Sequence, residues 1–147
     1  SRYYLFPRLY IPDDTIILLK MLKDAGLDLN EKNDLGGQTL FTTHFGSERI
    51  QQWSILLELG VDINGVDSLG ESALIKLVKS GIIGENEVKM VKFLTSHGAN
   101  VNLKDSSGLT AMDYLLQDRE RRAKVPEWVR YANEAIKLLE EAATRGK

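Results

Sequence analysis

Apolar residues recur along the chain in four stretches, each with the spacing of a helix that buries one face. Ile16, Leu18, Leu19 and Leu22 mark the first, and Ile50, Trp53, Ile55, Leu56 and Leu57 the second. Val88, Val91, Phe93 and Leu94 mark the third, and Val129, Ala132, Ile136, Leu138 and Leu139 the fourth. Asp13 or Asp14, Ser47 and Asn86 precede the first three as candidate N-caps. Pro126 opens the fourth near its first turn, where a missing N–H costs nothing. Gly26, Gly60 and Gly98 follow the first three runs and read as left-handed residues that stop a helix.

Those glycines begin a phrase written three times: Gly26-Leu-Asp-Leu-Asn30, Gly60-Val-Asp-Ile-Asn64 and Gly98-Ala-Asn-Val-Asn102. A second phrase, Asp-x-x-Gly-x-Thr/Ser, alternates with it at Asp34–Thr39, Asp67–Ser72 and Asp105–Thr110. Gly26 and Gly60 are 34 residues apart, Asp34 and Asp67 are 33 apart, and Asp67 and Asp105 are 38 apart. Gly37, Gly70 and Gly108 stand where a turn requires positive φ. Thr39, Ser72 and Thr110 stand where a hydroxyl caps the helix that follows.

In both phrases and in period the chain resembles the ankyrin repeat, a β-turn followed by two antiparallel helices in about 33 residues. The family phrase Asp-x-x-Gly-x-Thr-Pro-Leu-His lines up without gaps at Asp34, Asp67 and Asp105, and Gly-Ala-Asp-Val-Asn lines up at Gly26, Gly60 and Gly98. Leu40, Ala73 and Ala111 replace the family's Pro, and Thr42, Ile75 and Asp113 replace its His, so less rigid helix starts are expected. His44-Phe45, Leu77-Val78 and Leu115-Leu116 replace a small Ala-Ala pair, so wider spacing of the helix pairs is expected.

The resemblance implies an all-α solenoid of about four helix-turn-helix units with short β-turn tips. Residues 1–147 then form one domain: a degenerate first repeat over 1–33, a second over 34–66, a third with an insertion over 67–104, and a C-terminal capping repeat over 105–147. The insertion falls near Gly81-Ile-Ile-Gly84, and a second long link runs from Arg119 to Pro126. Both emerge on the same side. Residues 1–12 are rich in Tyr, Leu and Phe, whereas a terminal cap should be polar. Either they fold back over the end of the stack, or this edge packs against sequence upstream. Self-association through the same edge is a further option. The start at Ser1 suggests a processed end or an excised fragment.

Composition removes several kinds of chemistry. There is no cysteine, which excludes disulfides, thiolate catalysis and Cys-based metal sites and suits an intracellular, cytoplasmic setting. The net charge of −2 favours neither nucleic acid nor an anionic membrane. No apolar run approaches the ~20 residues needed for membrane insertion. His44 and His97 are the two histidines, and neither belongs to a nucleophile–base arrangement. The glycines belong to turns rather than to a phosphate loop. The expected function is therefore non-enzymatic, without cofactor or metal. The basic cluster Arg119, Arg121, Arg122, Lys124 and Arg130 is broken by Asp118, Glu120 and Glu127, the pattern of a solvated face.

By resemblance, the partner is another protein lying along the turn tips and first helices, the concave side. The candidate contacts on the tips are Leu35, Gln38, Ser68, Leu69, Glu71, Ser106, Ser107 and Leu109. On the first helices they are Thr43, Ser47, Lys76, Lys79 and Tyr114. Leu35, Leu69 and Leu109 would form an apolar row, with Tyr114 as an aromatic anchor. An adaptor or tether fits this reading. So does a targeting module for an enzyme whose catalytic part lies elsewhere. Trp53 is expected in the core, and Trp128 either clamps the long link or sits half exposed.

Overall fold

A computed structural model describes residues 13–31, 50–81 and 83–146. Six α-helices follow one another within them: α1 (Asp13–Asp24), α2 (Ile50–Glu58), α3 (Ala73–Lys79), α4 (Glu85–Ser96), α5 (Ala111–Arg121) and α6 (Pro126–Arg145). No strand occurs among the described residues.

Three of the helices end in the same way. Gly26, Gly60 and Gly98 have φ of 95°, 86° and 91°. The residue after each glycine turns its N–H back onto a carbonyl of the last helical turn: Leu27 to Leu22 at 2.9 Å, Val61 to Leu56 at 3.0 Å and Ala99 to Leu94 at 3.0 Å. This satisfies an orphan carbonyl and reverses the chain at one residue, which a Cβ would strain.

The helix starts follow the hydroxyl pattern, with one correction. Ser72 caps α3, its Oγ accepting from the Ile75 N–H at 3.3 Å. Thr110 caps α5 from Oγ1 to the Asp113 N–H at 3.3 Å, and the Asp113 carboxylate accepts the Thr110 N–H at 2.9 Å. Asp113 stands where the family has His, and its reciprocal bond fixes the start of α5. The cap of α4 is Gly84 rather than the expected Asn86. Gly84 has no side chain to cap with, so Glu87 reaches back and accepts its N–H at 2.9 Å. Pro126 occupies the first turn of α6, as expected.

The helices stack like on like. α3 packs on α5 and α4 on α6, and the sequential helices α3–α4 and α5–α6 pack on each other. A single apolar cluster runs through the stack from Leu19 and Leu29, by Trp53, Leu56, Leu74, Leu77, Met90 and Leu94, to Leu115, Ile136 and Leu139. Each such side chain contributes about 1.5–3 kcal/mol by leaving water. Trp53 is wholly enclosed, with its ring centroid 5.9 Å from that of Phe93. Leu77, Val78 and Leu115 are buried at the positions where the family prefers alanine, and Leu116 points outward.

Candidate protein-binding face

Two turn tips lie on one side of the stack, each organised by an aspartate. Asp67 Oδ1 accepts the N–H groups of Leu69 and Glu71, both at 2.9 Å, and the Gly70 N–H closes the turn on the Asp67 carbonyl at 3.0 Å. Asp105 repeats the pattern, accepting from Ser107 at 2.9 Å and Leu109 at 3.1 Å, with Gly108 closing at 2.9 Å. The two tips are joined, because the Ser106 N–H donates to the Leu69 carbonyl at 2.9 Å. Gly70 lets them approach: a Cβ there would lie 3.2 Å from Asp105 Cα and from the Ser106 nitrogen.

Below the tips, the first helices supply cations that meet these acids. Lys76 Nζ lies 2.9 Å from Asp67 Oδ2, and Lys79 pairs with Glu71. The Tyr114 hydroxyl donates to Asp105 Oδ2, and Lys79 sits over the Tyr114 ring, 5.5 Å from its centroid. These contacts set the local ionisation. Burial pushes the Asp67 carboxyl up, but the Lys76 ammonium and the Glu71 and Leu69 N–H groups together outweigh it, and the pKa falls below the usual carboxylate value. Asp105 is likewise lowered, burial being outweighed by the Tyr114 hydroxyl and two backbone N–H groups. The bond to Glu71 raises Lys79, and the bond to Asp105 raises Tyr114.

The last residues of the first two glycine phrases, Asn30 and Asn64, each reach the next phrase. Asn30 Oδ1 accepts the Asp62 N–H at 2.7 Å while its Nδ2 donates to the Gly60 carbonyl at 3.3 Å. Asn64 does the same with the Asn100 N–H at 2.7 Å and the Gly98 carbonyl at 3.3 Å. The sequence reading missed this clasp. Its signal was the recurrence of Asn at the end of the phrase, a polar residue that apolar packing cannot explain.

No family model matches the sequence. Over 59 residues the chain is 41% identical to an ankyrin repeat protein of Acanthamoeba polyphaga mimivirus, covering 40% of this chain and 13% of that protein. Over 99 residues it is 31% identical to an ankyrin repeat protein of Fowlpox virus (strain NVSL), covering 67% of this chain and 22% of that one. The chain thus spans less than a quarter of these relatives' lengths. Among solved structures, an ankyrin repeat domain from Acinetobacter baumannii AYE superposes with a TM-score of 0.61 at 29% identity, covering 86% of this chain and 58% of that one. The ankyrin repeat domain of Bcl-3, a member of the IkappaB protein family, superposes with a TM-score of 0.60 at 21% identity, covering 82% and 44%.

The chain is an ankyrin-repeat protein. Ankyrin repeats are in general protein-interaction modules, typically without catalysis of their own. Among the described residues, no group of acidic residues and His could hold a metal ion, and no helix is long and apolar enough to cross a membrane.

The ankyrin frame places the candidate contacts unequally. Leu35, Gln38, Thr43 and Ser47 lie outside the described residues, as do Gly37, Thr39 and His44. Ser68, Ser106 and Ser107 are exposed, and Leu69 is 54% exposed on a turn that hydrogen bonds hold still. Leu109 is half buried. Glu71 corrects the expectation of an exposed tip residue: it is 6% exposed, turned inward to Lys79. Lys76 is half buried against Asp67, Lys79 is exposed, and Tyr114 is half buried. Elsewhere, His97 caps α4 at its C-terminal end, and its Nδ1 lies 2.8 Å from the Phe93 carbonyl, a bond that puts the ring proton on Nδ1. Trp128 is 38% exposed under the Arg122 guanidinium, 4.3 Å from its ring centroid.

Proposed function

We propose that this chain is a non-enzymatic recognition module that docks another protein along its turn tips and first helices, in an adaptor or tethering role. The observation that carries this reading is Leu69, a large apolar side chain left in water on a turn whose backbone is tied at both ends. A hydrophobe displayed on a rigid support loses little conformational entropy on docking. Ser68, Ser106 and Ser107 flank it with polar groups, and Lys79 and Tyr114 continue the surface below. In this reading Asp67, Glu71 and Asp105 act indirectly, by holding the tips and the lysines in place.

Site-specific photocrosslinking tests the proposal. A photoreactive residue is placed at Ser68 or Ser107 on the tips, or at Lys92 on the exposed side of α4. The reading predicts a partner adduct from the tip positions, lost on Leu69→Ala with helicity unchanged. Adducts from Lys92 alone would place recognition on the outer helices instead.

A further inference from the structure

The Asn64 clasp contains a chemical weakness that its counterpart does not. Asn64 is followed by Gly65, whereas Asn30 is followed by Glu31, Asn102 by Leu103, and no other asparagine in the sequence precedes a glycine. An asparagine amide is attacked by the backbone nitrogen of the next residue, and glycine there offers no side chain to hinder the approach and the widest backbone freedom. We propose that Asn64–Gly65 is a site of spontaneous deamidation, held in check by the clasp, whose product releases the loop after α2 from the loop after α4.

The folded geometry opposes the reaction at each reacting group. Asn64 Nδ2 is held on the Gly98 carbonyl at 3.3 Å, and Oδ1 accepts the Asn100 N–H at 2.7 Å. The Asn64 N–H donates to Asp62 Oδ1 at 2.9 Å. The nucleophile itself, the Gly65 nitrogen, has its N–H on the Asp62 carbonyl at 3.1 Å. Reaction therefore waits on local opening of the loop.

Once the loop opens, base removes the Gly65 amide proton and the nitrogen attacks Asn64 Cγ. A nitrogen–carbon bond forms, the Cγ–Nδ2 bond breaks, and the nitrogen leaves as ammonia after taking up a proton. Water then adds to either carbonyl of the resulting five-membered imide and opens it to aspartate or isoaspartate. The net change is amide plus water to acid plus ammonia, with no oxidant or reductant. Neither product restores both bonds of the clasp. Aspartate has no donor for the Gly98 carbonyl and sets a carboxylate beside Asp62. Isoaspartate lengthens the main chain by a methylene and moves the carboxylate out of register.

The test is incubation of the whole chain at mildly alkaline pH, with peptide mapping by mass spectrometry at Asn64, in buffer and in denaturing urea. Conversion is expected in urea, and at least about tenfold more slowly in buffer, the ratio set by loop opening. Gly65→Ala, measured in urea so that folding is immaterial, should suppress conversion. The isoaspartyl protein, separated by ion exchange, should show faster hydrogen exchange at the Asn100 amide. No conversion in urea, equal rates in buffer and urea, or unchanged Asn100 exchange in the isoaspartyl protein would each overturn the proposal.

Discussion

The backbone of Ser106 donates to the carbonyl of Leu69 across 2.9 Å, and through that bond one turn tip is carried by the next. The exposed leucine and the exposed serines are therefore parts of one framework.

Gly70 and Gly98 both require positive φ, yet they should respond differently to alanine. At Gly98 a new Cβ meets nothing within 4 Å, so Gly98→Ala should cost only the left-handed conformation, about 1–2 kcal/mol. At Gly70 the Cβ would press on the backbone of Asp105 and Ser106 at 3.2 Å, and backbone cannot swing aside. Gly70→Ala should lose about 1 kcal/mol more, read as the larger drop in urea midpoint.

Asn30 joins two glycine phrases through two hydrogen bonds, whereas the Asn102 side chain makes none among the described residues. Asn30→Ala should lower stability by about 1 kcal/mol. Asn102→Ala should leave the midpoint within roughly 0.5 kcal/mol of the parent. Equal effects would show that the amides act through the unfolded chain rather than through the clasp.

Arg122 covers Asp118, which is 5% exposed, with Nε at 2.8 Å from Oδ1. Arg122→Ala removes the charged partner of that carboxylate and should cost about 1–2 kcal/mol. It should also uncover Trp128 and shift its emission to the red, while enclosed Trp53 keeps its own. Arg122→Lys should not restore the stacking, because an ammonium lacks the planar face.

The depressed pKa values of Asp67 and Asp105 dictate the acid response. Each carboxylate binds its proton less readily folded than unfolded. Its stabilisation is fully present above the ordinary aspartate value and is lost as pH falls through the lower folded value. Asp67→Asn should flatten the acid limb of a stability–pH curve. Lys79 and Tyr114 are raised, so their contribution is present below their ordinary values and lost as pH rises through the folded ones. Tyr114→Phe should flatten the alkaline limb.

Much of this architecture was legible because its cause is local. The bonds of Asp67 to Leu69 and Glu71 span two and four residues, and the reversals at Gly26, Gly60 and Gly98 are completed within six. The caps at Ser72 and Thr110 are equally local. Asn86 was a reasonable cap by residue type, but a glutamate three residues past Gly84 made a glycine serve. The inward turn of Glu71 was hidden because its partner stands eight residues away on the next helix. The clasps span 30 to 36 residues and join groups that no pattern within one helix relates. On the candidate face the positions were legible, while the half-burial of Leu109 and the tethering of Lys76 depended on neighbours brought in by stacking.

Lys76 and Lys79, the cations of the first helix below the first tip, are each matched by an acid already in place, Asp67 and Glu71. Seen from a few Debye lengths away, those two pairs are close to electrically silent. A macromolecule approaching them would gain little long-range guidance, its encounter rate would change little with ionic strength, and selectivity would be decided only after contact, by fit around one leucine and its serine neighbours.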